Sequence, residues 1–238
     1  MLVFRLSVLA ALVSVTACNM VVTEKPMFGA GDQASAAPIR TGIWRSDKPG
    51  CDVDETLSQD KWPACAGAQP GVADPPFWLQ VGGEPSLLQM ALPIPIGASS
   101  TSVYLYAAYR PLKLDAQGRV TALKTWAVQC GPPPKPGEVS PGPGGAAGSG
   151  VNQMPGMTRS LLPGLKPGQL GGCTAETAAA LRNAAVVSEA WADANPNSHW
   201  VRDPIPGDLP PLSQSTFQDA LRAGAAQSPP ANPGATPP

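Results

Sequence analysis

Ser102-Val103-Tyr104-Leu105-Tyr106-Ala107-Ala108-Tyr109 and a second β-forming run over residues 120–128 are the stretches that decide the fold. Both are rich in β-formers, and Asp115-Ala116-Gln117-Gly118 lies between them. Glycine supplies the positive φ that a tight turn often needs, so the two runs read as a hairpin. Tyr104 and Tyr106 share one face; Val103, Leu105, Ala107 and Tyr109 share the other. Bulk on both faces places the pair centrally in its sheet.

Working outward, Thr41-Gly42-Ile43-Trp44-Arg45-Ser46 alternates as a short strand and runs into Asp47-Lys48-Pro49-Gly50-Cys51, a turn by composition. Phe77-Trp78-Leu79-Gln80-Val81 reads as a strand ended by Gly82-Gly83. Residues 87–92 give another, and Pro93 and Pro95 confine the chain beyond it to an edge or an extended segment. After Cys173 a helix is expected, capped by Thr174, with Glu176 at its positive end and Leu181, Ala184, Ala185, Ser188 and Trp191 on one face. Asn195-Pro196 ends it, and His199-Trp200-Val201-Arg202-Asp203 adds a closing strand. The fold class is therefore mainly β (α+β): a small antiparallel sheet or partly open barrel with one packed C-terminal helix. All six tryptophans lie between residues 44 and 200. They mark a single β-rich domain over 41–130 and 173–203, about 120 residues, enough for one core.

The remaining segments read as low-complexity. With 30 Pro and 25 Gly in 238 residues, the chain is near the composition at which such segments are expected. Half of residues 131–172 are Gly or Pro, too little apolar surface to offset ordering entropy, so a disordered insertion is expected there. Residues 18–40 read as a polar tether. Residues 204–238 read as a Pro-rich tail, except for a capping-box pattern at Ser215-Thr216-Phe217-Gln218 that suggests a short helix over 215–223.

The N-terminus carries an export signal over residues 1–17: Arg5, then an apolar run over 6–15. That run falls short of the roughly 20 apolar residues a spanning helix needs. Val15-Thr16-Ala17 before Cys18 resembles a lipobox, the cleavage and acylation signal of bacterial lipoproteins. The chemistry needs a thiol at the new N-terminus, because its sulfur carries the diacylglycerol, and several acyl chains make such an anchor effectively permanent. Asn19 in the second mature position is not aspartate, which by resemblance to the enterobacterial sorting rule implies the outer membrane, facing the periplasm.

With Cys18 acylated, Cys51, Cys65, Cys130 and Cys173 are left in an oxidising compartment, and an even remainder reads as two disulfides. Three connectivities are possible. Cys51–Cys65 with Cys130–Cys173 is preferred, because each closes one plausible loop. A Cys₄ zinc site is the alternative, but close C-x₂-C pairs are absent.

Removing residues 1–17 takes away only Arg5, which moves the formal charge from −1 to −2. No basic cluster invites nucleic acid. The single histidine, His199, would have to serve any Ser-His-Asp hydrolase, yet no G-x-S-x-G elbow supplies the nucleophile. It reads as a surface or packing residue. Asp52, Asp54, Glu55 and Asp60 cluster between Cys51 and Cys65, but the EF-hand pattern is not met, and a solvated turn is the stronger reading. No catalytic residue, metal or cofactor is assigned.

Four motifs together resemble a family of uncharacterised lipoproteins from Gram-negative bacteria. They are Thr23-Glu24-Lys25-Pro26-Met27-Phe28; Gly42-Ile43-Trp44-Arg45-Ser46 through Trp62-Pro63-Ala64-Cys65-Ala66; Arg110-Pro111-Leu112 through Gln129-Cys130-Gly131-Pro132-Pro133-Pro134; and Trp200-Val201-Arg202-Asp203. The resemblance spans most of residues 18–203, supports the paired cysteines and implies no activity. Gly42-Ile43-Trp44 is also similar to the opening G-x-W of lipocalins, whose tryptophan plugs one end of an eight-stranded barrel; about six strands are counted here.

The function expected is a non-catalytic binding or structural role in the envelope, with the membrane and an envelope protein as partners. A lipocalin-like carrier of an apolar small molecule comes second, and a carboxylate-dependent envelope hydrolase third. The carrier predicts a closed barrel with an apolar cavity. The hydrolase predicts two facing acids of perturbed pKa in a cleft.

Overall fold

The structure, a computed structural model, describes residues 19–67, 69–74, 76–96, 99–133, 160–168, 172–192 and 197–213, with Ser215 and Asp219. The export signal, Cys18 and most of the helix expected over 215–223 lie outside the described residues. The strands are β1 Val22–Thr23, β2 Ile43–Ser46, β3 Trp78–Val81, β4 Ser86–Ile96, β5 Ser99–Leu114, β6 Val120–Ala127, β7 Leu165–Pro167, β8 Cys173–Ala175 and β9 Ser198–Arg202. The helix α1, Ala178–Ser188, falls between β8 and β9.

β5 and β6 form the expected hairpin and sit at the centre of an open antiparallel sheet ordered β2-β9-β6-β5-β4-β3. The turn depends on two residues. Gly118 has φ +74°, a left-handed conformation that costs a side chain energy. Asp115 accepts the backbone N–H groups of Gln117 (3.0 Å) and Arg119 (2.9 Å) on one carboxylate oxygen. Register shifts beside Pro111 absorb the missing N–H within β5. β3 covers β4 only as far as Met90, so Pro93 and Pro95 fall where the outer side of β4 has no strand partner, as the edge reading required.

The sheet is buried on both faces. On one, α1 presents Leu181, Ala184 and Ala185 to Tyr106, Ala108 and Trp126. The indole N–H of Trp126 donates to the Ala185 carbonyl (2.8 Å), satisfying a group near the helix end. On the other, Trp44, Leu88, Tyr109, Val120 and Leu123 pack together with Trp78 and Trp200 beside them. The helix cap differs from expectation. Residues 173–175 are used as β8, paired with β7, so the helix begins later and Thr177 caps it by accepting the Ala180 N–H (3.1 Å). Trp191 lies past the helix, in a 3-10 turn over Glu189–Trp191.

Three segments expected to be loose are ordered where they are described. The tether is the clearest correction. β1 pairs with β5, Val21 and Phe28 are buried in the helix-side core, and Ile39 is buried on the opposite face. Two buried glutamines hold this segment by imitating a strand's backbone. Gln89 accepts the N–H groups of Met27 (2.9 Å) and Phe28 (3.0 Å) and donates to the Phe28 carbonyl (3.0 Å). Gln80 donates to the carbonyl of Ala37 (3.2 Å) and to the hydroxyl of Tyr109 (3.1 Å). The insertion is corrected at its C-terminal end, where Leu165 is buried within β7 and the Leu162 N–H reaches the Cys130 carbonyl (2.9 Å). The start of the tail is corrected as well: the Leu212 N–H bonds the Gly71 carbonyl (3.0 Å) and the Leu209 N–H bonds the Gln59 side chain (2.9 Å).

Candidate functional site

Functional side chains gather at two places, near opposite ends of β6. At the first, β2 and β9 lie side by side with Arg45 opposite His199, and Ala122 near the start of β6 is the other neighbour of His199. The chain leaving β2 supplies Asp47. The loop closed by the Cys51–Cys65 disulfide, with Cα atoms 5.8 Å apart, supplies Glu55. His199 Nδ1 lies 2.7 Å from Asp47 Oδ1, and Nε2 lies 2.8 Å from Glu55 Oε1. Arg45 Nε donates to the same Glu55 oxygen at 2.8 Å. Burial alone would raise the Glu55 pKa, but the hydrogen bond and charge of His199, then those of Arg45, outweigh it and hold the group below its usual range.

Arg202, on β9, ties three segments together. It donates to the carbonyls of Glu55 (3.0 Å) and Leu57 (2.7 Å), and grips Asp208 with two bonds of 2.5 and 2.9 Å. The Asp208 side chain is only 2% exposed. The Arg202 bonds, helped by the N–H groups of Ile205 and Gln59, hold the Asp208 pKa at about 2.

The acidic cluster does not converge. Asp54 accepts the N–H and hydroxyl of its neighbour Thr56, while Asp60 accepts the Ser58 hydroxyl and pairs with Lys61. Both carboxyls are held below their usual range by those hydrogen bonds. Asp52 is exposed. Among the described residues no group of three or more His, Cys, Asp and Glu could hold a metal ion. The chemistry here is that of ionised acceptors already occupied by donors. Asp54, Glu55 and Asp60 are all shifted downward, the opposite of what a general acid requires.

The second place lies beyond the end of β6. The Cys130–Cys173 disulfide (Cα atoms 5.7 Å apart) sits beside residues 19–21, which it holds from both sides. The Cys130 N–H donates to the Asn19 carbonyl (2.8 Å), the Val21 N–H to the Val128 carbonyl (2.9 Å), and the Cys173 N–H to the Met20 carbonyl (3.4 Å). The Asn19 side-chain amide donates to Gln129 Oε1 (3.1 Å) and the Gly131 carbonyl (3.2 Å). Both disulfides therefore match the preferred connectivity. Nearby, an open groove of about 400 Å³ runs between β1 and the β7–β8 pair, with Lys25 and Lys166 on its walls. Lys166 is paired with Glu176 at 2.7 Å.

The sheet does not close, since β2 and β3 end it on opposite sides. Trp44, the tryptophan of the G-x-W motif, packs on one face of an open sheet rather than plugging a barrel. Gly42 beside it is required by close approach: a Cβ there would lie 2.6 Å from the Trp200 indole nitrogen and 2.7 Å from the Arg202 carbonyl oxygen, and its φ is +122°. Among the described residues no helix is long and apolar enough to cross a membrane. The fold and its ends define a disulfide-stapled α+β domain built on an open antiparallel sheet. No family model matches the chain, and neither a curated protein nor a solved structure matches it.

Proposed function

We propose that the chain is a lipid-anchored protein of the bacterial outer membrane, facing the periplasm, with a non-catalytic binding or structural role. The observation that carries this reading is the cysteine pairing. Cys51 with Cys65 and Cys130 with Cys173 consume four sulfurs, and Cys18, behind an export signal and a lipobox-like stretch, is the fifth. Two disulfides suit an exported protein. The non-catalytic part draws support from the charged end, where carboxylates serve as acceptors that fix loops to β9. An open sheet packed on both faces also favours a scaffold over a carrier with an enclosed lumen.

The test is metabolic labelling with radioactive palmitate in a Gram-negative host, followed by membrane fractionation. The full chain is expected to take up label and sediment with the outer membrane. Cys18→Ser is expected to take up none. An unlabelled wild-type chain, or a labelled Cys18→Ser chain, would overturn the proposal.

A further inference from the structure

We infer that the folded body sits directly on the bilayer in a fixed orientation, with the Asn19–Gln129–Pro132 end facing the lipid and the β5–β6 turn and His199 pointing away. The inference rests on Cys18 being the lipidated residue. Its physical basis is where order begins. Asn19 is covalently next to Cys18, one peptide and about 3.8 Å between Cα atoms away. Asn19 is already fixed by its carbonyl to Cys130 and by its side chain to Gln129 and Gly131. Met20 and Val21 come immediately after, bonded to Cys173 and Val128.

A disordered chain over 18–40 would behave differently. Its end-to-end span would be about 25 Å, and the body could tumble above the surface. With that chain folded in, the lipid can be separated from the body by no more than the linkage at Cys18. The surface around Asn19 must then meet the headgroups. Among the described residues it includes Gln129, the exposed Pro132 and Pro133, and the half-buried Leu161, whose neighbour Leu162 is bonded to Cys130. Among the described residues, those named here (Asn19, Gln129, Pro132, Pro133 and Leu161) are all uncharged, so none of them is repelled by an anionic bilayer.

The sheet then sets what points outward. β6 leads away from this end, and between Ala127 and Ala122, the neighbour of His199, it spans about 17 Å at about 3.3 Å per residue. The turn at 115–118 lies farther still. The His199–Glu55–Arg202 knot and the Cys51–Cys65 loop are therefore held off the membrane, where a soluble envelope partner would reach them.

The experiment uses the full lipidated chain, purified in detergent and reconstituted into vesicles of phosphatidylethanolamine and phosphatidylglycerol carrying a headgroup nitroxide quencher. Fluorophores are placed at Pro132→Cys or Gln117→Cys, both exposed positions. Most of the emission at 132 is expected to be lost and almost none at 117. A flexible Gly/Ser insertion directly after Cys18, begun with Asn to keep the second mature residue, is expected to abolish the difference. Equal quenching of the two labels in lipidated protein without the insertion would overturn the inference while leaving the anchor intact. Absence of the acyl mass on the N-terminal peptide would overturn the anchor itself, and the inference with it.

Discussion

The backbone N–H of Cys130 donates to the carbonyl of Asn19 at 2.8 Å, and Asn19 and Gln129, its side-chain partner, are separated by 110 residues of sequence. The start of the described chain is thereby built into the extension of a central strand, and the Cys130–Cys173 disulfide closes over the join. Removing that disulfide should loosen the join as well as lower stability. A closed loop of 43 residues corresponds to about 4 kcal/mol of chain entropy, against about 3 kcal/mol for the loop of 14 closed by Cys51–Cys65. Paired Cys→Ala variants in urea denaturation should rank in that order. Only the Cys130→Ala, Cys173→Ala pair should also speed chymotrypsin cleavage after Phe28, which is buried in the intact fold. Unchanged cleavage in that variant would show that the hydrogen bonds alone hold the segment.

Gln89 carries the next prediction, because one side chain satisfies three backbone groups of residues 27 and 28. Gln89→Ala leaves those groups buried without partners, at about 1–3 kcal/mol each where water cannot reach. A loss on the order of 3 kcal/mol is expected, with faster hydrogen exchange of the Phe28 amide. Exchange at Phe28 as slow as in the wild type would count against the role given to Gln89.

The β5–β6 hairpin was legible because its information is local: β-formers on both strands, and Asp115 and Gly118 in the turn. The buried face of α1 was legible for the same reason, through the spacing of Leu181, Ala184 and Ala185. The order of residues 19–40 was not. Val21, Phe28 and Ile39 have no common period; Val21 is held by the backbone of Val128, and the stretches around Phe28 and Ile39 by side-chain mimicry of a strand from Gln89 and Gln80. Phe28, the one aromatic in the stretch, and the β-branched pair Val21-Val22 were the local hints. At the charged end, the cysteine pairing could be read from composition and compartment. The partners of His199 could not, since Asp47 and Glu55 lie 152 and 144 residues away from it in sequence.

Gly118 gives a test free of packing effects. Its φ is +74°, and a Cβ there would meet nothing within 4 Å. Gly118→Ala should therefore cost only the left-handed backbone strain, about 1–2 kcal/mol. Gly118→Asn should cost less, because asparagine tolerates that region. Thermal unfolding of both variants checks the order. A larger loss for Asn than for Ala would mean that the turn has a different conformation.

The Arg202–Asp208 pair makes stability depend on pH in a defined direction. The Asp208 pKa is held at about 2 against an ordinary value of 3.8, mainly by the Arg202 hydrogen bonds. A carboxyl whose pKa is depressed by folding binds more protons in the unfolded state, so its contribution is present above the unfolded value and is lost as pH falls through the folded one. The window is therefore about pH 4 down to about pH 2. The difference corresponds to at most about 2 kcal/mol at neutral pH, because the pair lies among exposed residues 203–207 and solvent screens part of its charge. Asp208→Asn should be less stable than the wild type by up to that amount at pH 7, and the gap should shrink steadily below pH 4. Urea midpoints measured across that range decide it: a gap that stays constant down to pH 2 would mean that Asp208 contributes through shape and neutral hydrogen bonds, and that its charge is not what binds the start of the tail to β9.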